Sequence, residues 1–174
     1  PNNGGSSIGM SKVKSWEELD DALDKAFAED SQVLVEEFVS GREFSIGIYK
    51  TAGKVKVLPA TEIVSSKEFF DYEAKYSAGV TEEITPGRMN EEERLRVERI
   101  AARVYEKLNC KGAVRMDYFL EHTSSKCFFI EINTVPGQTE TSLISQQVRA
   151  IGMEVKDFYT ELIEEMLSEG RSTK

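Results

Sequence analysis

Two cysteines, one histidine and one tryptophan are all that 174 residues supply of those types. Cys110 and Cys127 stand apart in apolar surroundings, with no CxxC or other metal-ligand spacing. That argues for a reducing compartment and against a disulfide scaffold or a zinc finger. His122 sits in a polar loop and reads as a solvated residue, not as a catalyst or metal ligand. No apolar run reaches the roughly 20 residues needed to cross a bilayer, so no membrane partner is expected. Positive charge is also scarce, with 22 Lys and Arg against 31 Asp and Glu, a formal charge of −9. Without a basic stripe, no nucleic-acid partner is expected. The acidity itself reads as solubility, and it leaves room for a local positive pocket that accepts a nucleotide. The hydrophobic and charged shares, 40% and 30%, are those of an ordinary globular protein.

What is present alternates strand groups with helices. Ser15 and Glu18 form a capping-box pattern, and Trp16, Leu19, Leu23 and Phe27 follow at helical spacing. The pattern predicts strands over 32–39, 43–49 and 55–58, with turns at Ser40-Gly41 and Ala52-Gly53. The segment 62–85 is polar, aromatic and irregular, in the manner of a lid. Asn90 and Glu93 cap a long amphipathic helix over 91–108. Strands over 112–120 and 127–133 flank a polar hairpin loop. A short helix to Ile151 and a last one carrying Val155, Phe158, Leu162 and Met166 complete an α+β domain with an antiparallel sheet.

Alternation along strands puts Arg115 and Asp117 on one face, and Glu131 and Asn133 on one face. The hairpin can bring all four together. Two carboxylates, an amide oxygen and a guanidinium pack poorly but suit Mg²⁺ and phosphate. The alternative is a hydrogen-bonded polar cluster around Arg115. The run Asn133-Thr-Val-Pro-Gly137 tips the balance toward a site, because Gly137 lets a backbone N–H approach a ligand. Ser142 follows at a helix start, where a carboxylate is welcome. Gly4-Gly-Ser-Ser-Ile-Gly9 can wrap phosphate oxygens, and an ordinary surface turn fits it equally well. Val35-Glu-Glu-Phe-Val39 with Glu43 suits an adenine edge and a ribose, although an edge strand with solvated Glu explains it too. Phe69-Phe-Asp-Tyr-Glu-Ala-Lys-Tyr76 reads as a loop pinned by aromatics or as a lid carrying Lys75 and Tyr76.

Five stretches in order resemble the D-alanine–D-alanine ligase family of the ATP-grasp superfamily: GSSIGMSKV (5–13), VEEFVSGREFS (35–45), FFDYEAKY (69–76), VRMDYF (114–119) and EINTVPGQTETSL (131–143). The resemblance implies an ATP-grasp fold of antiparallel sheets with flanking helices, here lacking the family's N-terminal domain. Residues 1–85 would belong to the central lobe and 86–174 to the C-terminal lobe. By the same resemblance, Ser6 and Ser7 would cover ATP phosphates, with Ser6 also orienting Tyr76. Glu36 would accept from the adenine amino group. The backbone of Glu37 to Val39 would read the adenine edge, Glu43 would hold the ribose and Phe69 would pack on the base. Lys75 would contact phosphate, and Tyr76 would close over substrate. Arg115 and the Gly137 N–H would hold the transferring phosphate and the oxyanion. Asp117, Glu131 and Asn133 would bind two Mg²⁺ ions, with Mn²⁺ as a substitute. Ser142 and the Leu143 N–H would hold the carboxylate of the second amino acid.

The implied reaction is ATP-dependent joining of two D-alanines through an acyl phosphate, for peptidoglycan precursor synthesis in the cytoplasm. Partners would be ATP, D-alanine, the N-terminal domain and, in the intact protein, a second copy in a homodimer. The chain opens at Pro1 without the family's preceding lysine, so it is expected to be part of a longer protein and inactive alone. Thr141 stands where many relatives carry His, which puts local hydrogen bonding in doubt. The Glu-Ala-Lys-Tyr lid resembles that of ligases that use D-alanine rather than D-lactate. Rival readings are another ATP-grasp carboxylate–amine ligase, a nucleotide-binding module without catalysis, and an interaction domain that docks through 62–85.

Overall fold

A computed structural model of the chain describes residues 1–65, 81–124 and 126–172. It divides into two compact units, residues 1–39 with 64–82 and residues 40–63 with 83–174.

In the smaller unit a 3-10 turn at Trp16–Glu18 leads into helix α1, Leu19–Phe27. The capping box expected at Ser15 does not form, since Ser15 makes no side-chain cap bond. Instead Glu18 accepts from the Lys14 N–H at 2.9 Å. Ala26 is the only buried residue of α1, while Trp16 is 85% exposed. The strand expected over 32–39 is also absent. That stretch has no ladder partner among the described residues, and Leu34, Val35 and Phe38 are exposed. Propensity for a strand is realised only where a neighbour supplies the hydrogen bonds and packing.

The antiparallel α+β architecture expected from the sequence is the one found. Strands β1 (Gly41–Thr51), β2 (Lys54–Val57), β3 (Thr61–Ser65), β4 (Thr81–Ile84), β5 (Ala113–Glu121) and β6 (Cys127–Asn133) form one sheet in the order β4-β3-β1-β5-β6, with β2 also paired to β1. Helices α2 (Glu91–Lys107), α3 (Leu143–Ala150) and α4 (Val155–Ser172) flank it. Ala52 and Gly53, at φ 49° and 72°, make the tight turn from β1 to β2. At α2 the expected capping box is complete, with Glu93 N–H donating to the Asn90 side chain at 2.9 Å and Asn90 N–H to Glu93 at 3.0 Å. The segment 62–85, expected to be irregular, contains β3 and β4 at its two ends. Its Glu62 is a buried strand residue because Arg88 pairs with it at 2.7 Å. A charged residue inside a strand hides the alternation on which sequence reading depends.

The two faces of the central strands have different work. Phe44, Ile46 and Ile48 of β1, with Val114, Met116, Tyr118 and Leu120 of β5, face Val97, Ala101 and Tyr105 of α2 in the main core. The intervening residues point the other way. There Tyr49 and Ala113 pack with Ile144, Val148 and Phe158 from α3 and α4. Ser45, Arg115 and Asp117 share that second face, so the polar residues of β5 lie beside α3, not in the core.

Candidate functional site

Register fixes the polar cluster. Arg115 lies directly opposite Asn133, and Asp117 opposite both Ser45 and Glu131. An irregularity in the ladder follows at once, between Asp117 and Tyr118. Bulges of this kind re-aim side chains at the edge of regular pairing. The structure thus brings together the four groups expected to share a face.

Arg115 is clamped by Asp117. Its Nε donates to Oδ1 at 2.9 Å and its Nη2 to Oδ2 at 2.7 Å. Ser45 Oγ donates to the same Oδ1, and Glu131 Oε1 lies 3.9 Å from the guanidinium. Burial works against the guanidinium charge. The Asp117 hydrogen bonds and charge, with Glu131 and Glu43, outweigh it and hold Arg115 above its ordinary range. The result is a fixed cation whose fork is oriented before any ligand arrives.

Asp117, Glu131 and Asn133 offer only oxygen, the donor type that Mg²⁺ prefers. Glu131 is 60% exposed on its side chain and keeps its carboxylate toward solvent. Asn133 Oδ1 accepts from the Val135 N–H at 3.0 Å, which fixes its side chain at the start of the following loop. Among the described residues no three His, Cys, Asp or Glu side chains cluster to hold a metal. The candidate set is therefore two carboxylates and an amide.

The loop after β6 returns to this face. Gly137 approaches Ser142 so closely that an added Cβ would stand 3.0 Å from Ser142 Oγ. Ser142 is the N-cap residue of α3, yet its hydroxyl does not cap the helix. It pairs instead with Thr139, accepting from Thr139 N–H at 3.0 Å. The first N–H groups of α3, beginning at Leu143, consequently take nothing from the cap residue and favour an anion. A pocket of about 220 Å³ opens there, lined by Glu83, Arg115, Gly137, Thr141, Ser142 and Leu143 among others. It is large enough for a ligand of amino-acid size.

Sequence reading missed the residue that seats α3. Gln147 is fully buried, and its amide donates to Ser45 O and Thr61 Oγ1, each at 3.0 Å, while accepting from Gly47 N–H at 2.8 Å. Gly47 lies between the stretches of β1 paired with β2 and β3, so its N–H has no ladder partner there. A Cβ at Gly47 would meet Ile144 Cδ1 at 2.6 Å and Gln147 Oε1 at 2.7 Å. An isolated glycine inside a strand was the available signal of close approach.

The remaining expected residues fall elsewhere. Glu43 lies on β1, facing the Arg115 side. Ser6 and Ser7, both at positive φ (54° and 59°), form a tight turn closed by Ile8 N–H to Gly5 O at 3.2 Å. Such backbone is costly for serine and marks a constrained loop. Glu36, Glu37 and Val39 lie on the unpaired stretch of the smaller unit. Phe69, Lys75 and Tyr76 lie outside the described residues.

The family described as D-ala D-ala ligase C-terminus matches residues 1–164. A D-alanine–D-alanine ligase of Phocaeicola vulgatus is 48% identical over 164 residues, which are 94% of this chain and 50% of that protein. Among solved structures, the VanG D-Ala:D-Ser ligase of Enterococcus faecalis superposes with a TM-score of 0.81 at 34% identity, over 92% of this chain and 46% of that one. A Bacillus anthracis D-alanine–D-alanine ligase complexed with ATP superposes at 0.74 with 29% identity, over 93% and 51%. The chain thus spans about half the length of the relatives it matches. Five ordered motifs, an antiparallel ATP-grasp sheet and the family match agree: the chain belongs to the D-alanine–D-alanine ligase family, as its C-terminal part.

Proposed function

We propose that this chain carries part of the catalytic half of a cytoplasmic, ATP-dependent ligase that joins two D-alanines for peptidoglycan precursor synthesis. The observation that carries this reading is the pre-oriented Arg115 beside a pocket that ends on the open N-terminus of α3. The carboxylate of the first D-alanine takes the γ-phosphoryl group of ATP, giving an acyl phosphate and ADP. The amine of the second attacks the acyl carbon and loses a proton. The tetrahedral intermediate then expels phosphate.

Arg115 holds the transferring phosphoryl group and, with the Gly137 N–H, the oxyanion. Donors fixed beforehand act most strongly where charge develops. Ser142 and the Leu143 N–H hold the second substrate's carboxylate. Asp117, Glu131 and Asn133 fit two Mg²⁺ ions by donor chemistry, and bound Mg²⁺ would offset the charge of the nucleotide phosphates. Ser6 and Ser7 cover phosphates, Glu36 and the backbone of Glu37 to Val39 read adenine, and Glu43 takes the ribose. Phe69, Lys75 and Tyr76 complete the nucleotide and substrate contacts. The ATP complex of the Bacillus anthracis relative supports the nucleotide. The D-Ala:D-Ser relative makes D-serine the second nucleophile to compare.

The test is a full-length protein carrying this chain, given MgATP and D-alanine, with D-serine as a competing second substrate. Phosphate release matched by D-alanyl-D-alanine is expected. ATP turnover that ignores D-alanine, or none at all, would overturn the proposal.

A further inference from the structure

Glu83 contributes the one carboxylate among the described residues that line the pocket at the start of α3. Opposite it stand the cationic Arg115 guanidinium and the helix N-terminus, with the neutral hydroxyls of Thr141 and Ser142 between. A pocket with donors at one end and a single carboxylate on its wall is complementary to a zwitterion. The carboxylate is also held. Gln146 Nε2 donates to Glu83 Oε2 at 2.6 Å and to the Thr141 carbonyl at 2.9 Å. One amide therefore ties Glu83 to the loop that carries Ser142. Among the described residues that bond engages Oε2, which leaves Oε1 available to a ligand.

We infer that Glu83 is a specificity-determining residue that selects an amine-bearing second substrate over a hydroxy acid of the same shape. The inference rests on the proposed ligase reading, and it gives the wall of that pocket a role. With the ligand carboxylate at Ser142 and the Leu143 N–H, its α-substituent lies within the pocket that Glu83 lines. An ammonium there, the form in which the amino acid binds, is attracted by a carboxylate. A hydroxyl carries no charge and gains only a hydrogen bond. Discrimination comes from the difference between the two, not from the strength of either. Glu83 is exposed, so water and salt screen the attraction and the selectivity it adds is modest.

Glu83→Gln separates charge from position. The amide keeps an oxygen for Gln146 and loses the charge. In the full-length protein, the KM for the second D-alanine should rise roughly three- to tenfold. The inhibition constant of D-lactate against that D-alanine should stay level or fall, and the KM for ATP and the thermal midpoint should hold. A structural role would instead move both ligands together with the melt. If D-alanine and D-lactate shift by the same factor, or neither shifts, the inference is wrong while the ligase reading stands. If the unsubstituted protein releases no phosphate with D-alanine, the reading fails and this inference goes with it.

Discussion

Asp117 clamps Arg115 through both oxygens. In the proposed ligase it would also offer an oxygen to Mg²⁺, and a carboxylate serving both a guanidinium and a dication would have a charge that is hard to replace. Asp117→Asn in a full-length protein should reduce turnover at least about a hundredfold while the fold persists. Glu131→Gln should act similarly through the metal alone, since Glu131 stands 3.9 Å from Arg115 and is largely solvated. Near-normal phosphate release by either variant at limiting Mg²⁺ would remove it from the site. That these two residues share a face with Arg115 and Asn133 was legible from strand alternation and the hairpin. Ser45, Gln147 and Glu83 were not. Each meets its partner across 63 to 102 residues of chain, and no local spacing records such a contact.

At the scale of elements, α3 is positioned from behind. Its apolar residues Ile144 and Val148 pack on the sheet, but Gln147 sets where it sits. Gln147→Leu would leave the Gly47 N–H and the Ser45 carbonyl without that partner in a dry place. A loss of about 1–3 kcal/mol is expected from such orphaned groups. Urea unfolding of the full-length variant should show the lower midpoint, and an unchanged one would contradict the seating role. β3 carries a pH-dependent element. Burial pushes the Glu62 carboxyl up, but the Arg88 side-chain and backbone hydrogen bonds outweigh it and leave it below 4.5, its ordinary value. A lowered carboxylate stabilises the fold above its unfolded value and ceases to do so as pH falls through its folded value. Glu62→Gln should therefore flatten part of the stability loss below about pH 4.5. The effect is about 1 kcal/mol, because Arg88 is largely in water. An acid-unfolding curve identical to that of the unsubstituted protein would refute it. Sequence reading succeeded for α2 and the β5–β6 hairpin, where capping, periodicity and turn chemistry coincide. It failed for 32–39, which has strand composition but no described neighbour to pair with, and for β3 and β4, whose charges break the pattern.

At the scale of the molecule, one principle organises the larger unit. The sheet gives one set of alternate residues to α2 and, on the other face, a second apolar cluster beside the polar residues of the candidate site, so a single twofold pattern places both core and candidate site. That pattern is local, and it explains why the fold class and the shared face of Arg115, Asp117, Glu131 and Asn133 could be read before the structure. The central claim is that the reaction passes through an acyl phosphate on the first D-alanine. It is tested most directly by giving a full-length protein MgATP and D-alanine labelled with ¹⁸O in its carboxylate. The carboxylate oxygen that attacks phosphorus should leave with the expelled phosphate. The account predicts one labelled oxygen in inorganic phosphate for each dipeptide formed; dipeptide accompanied by unlabelled phosphate would contradict it.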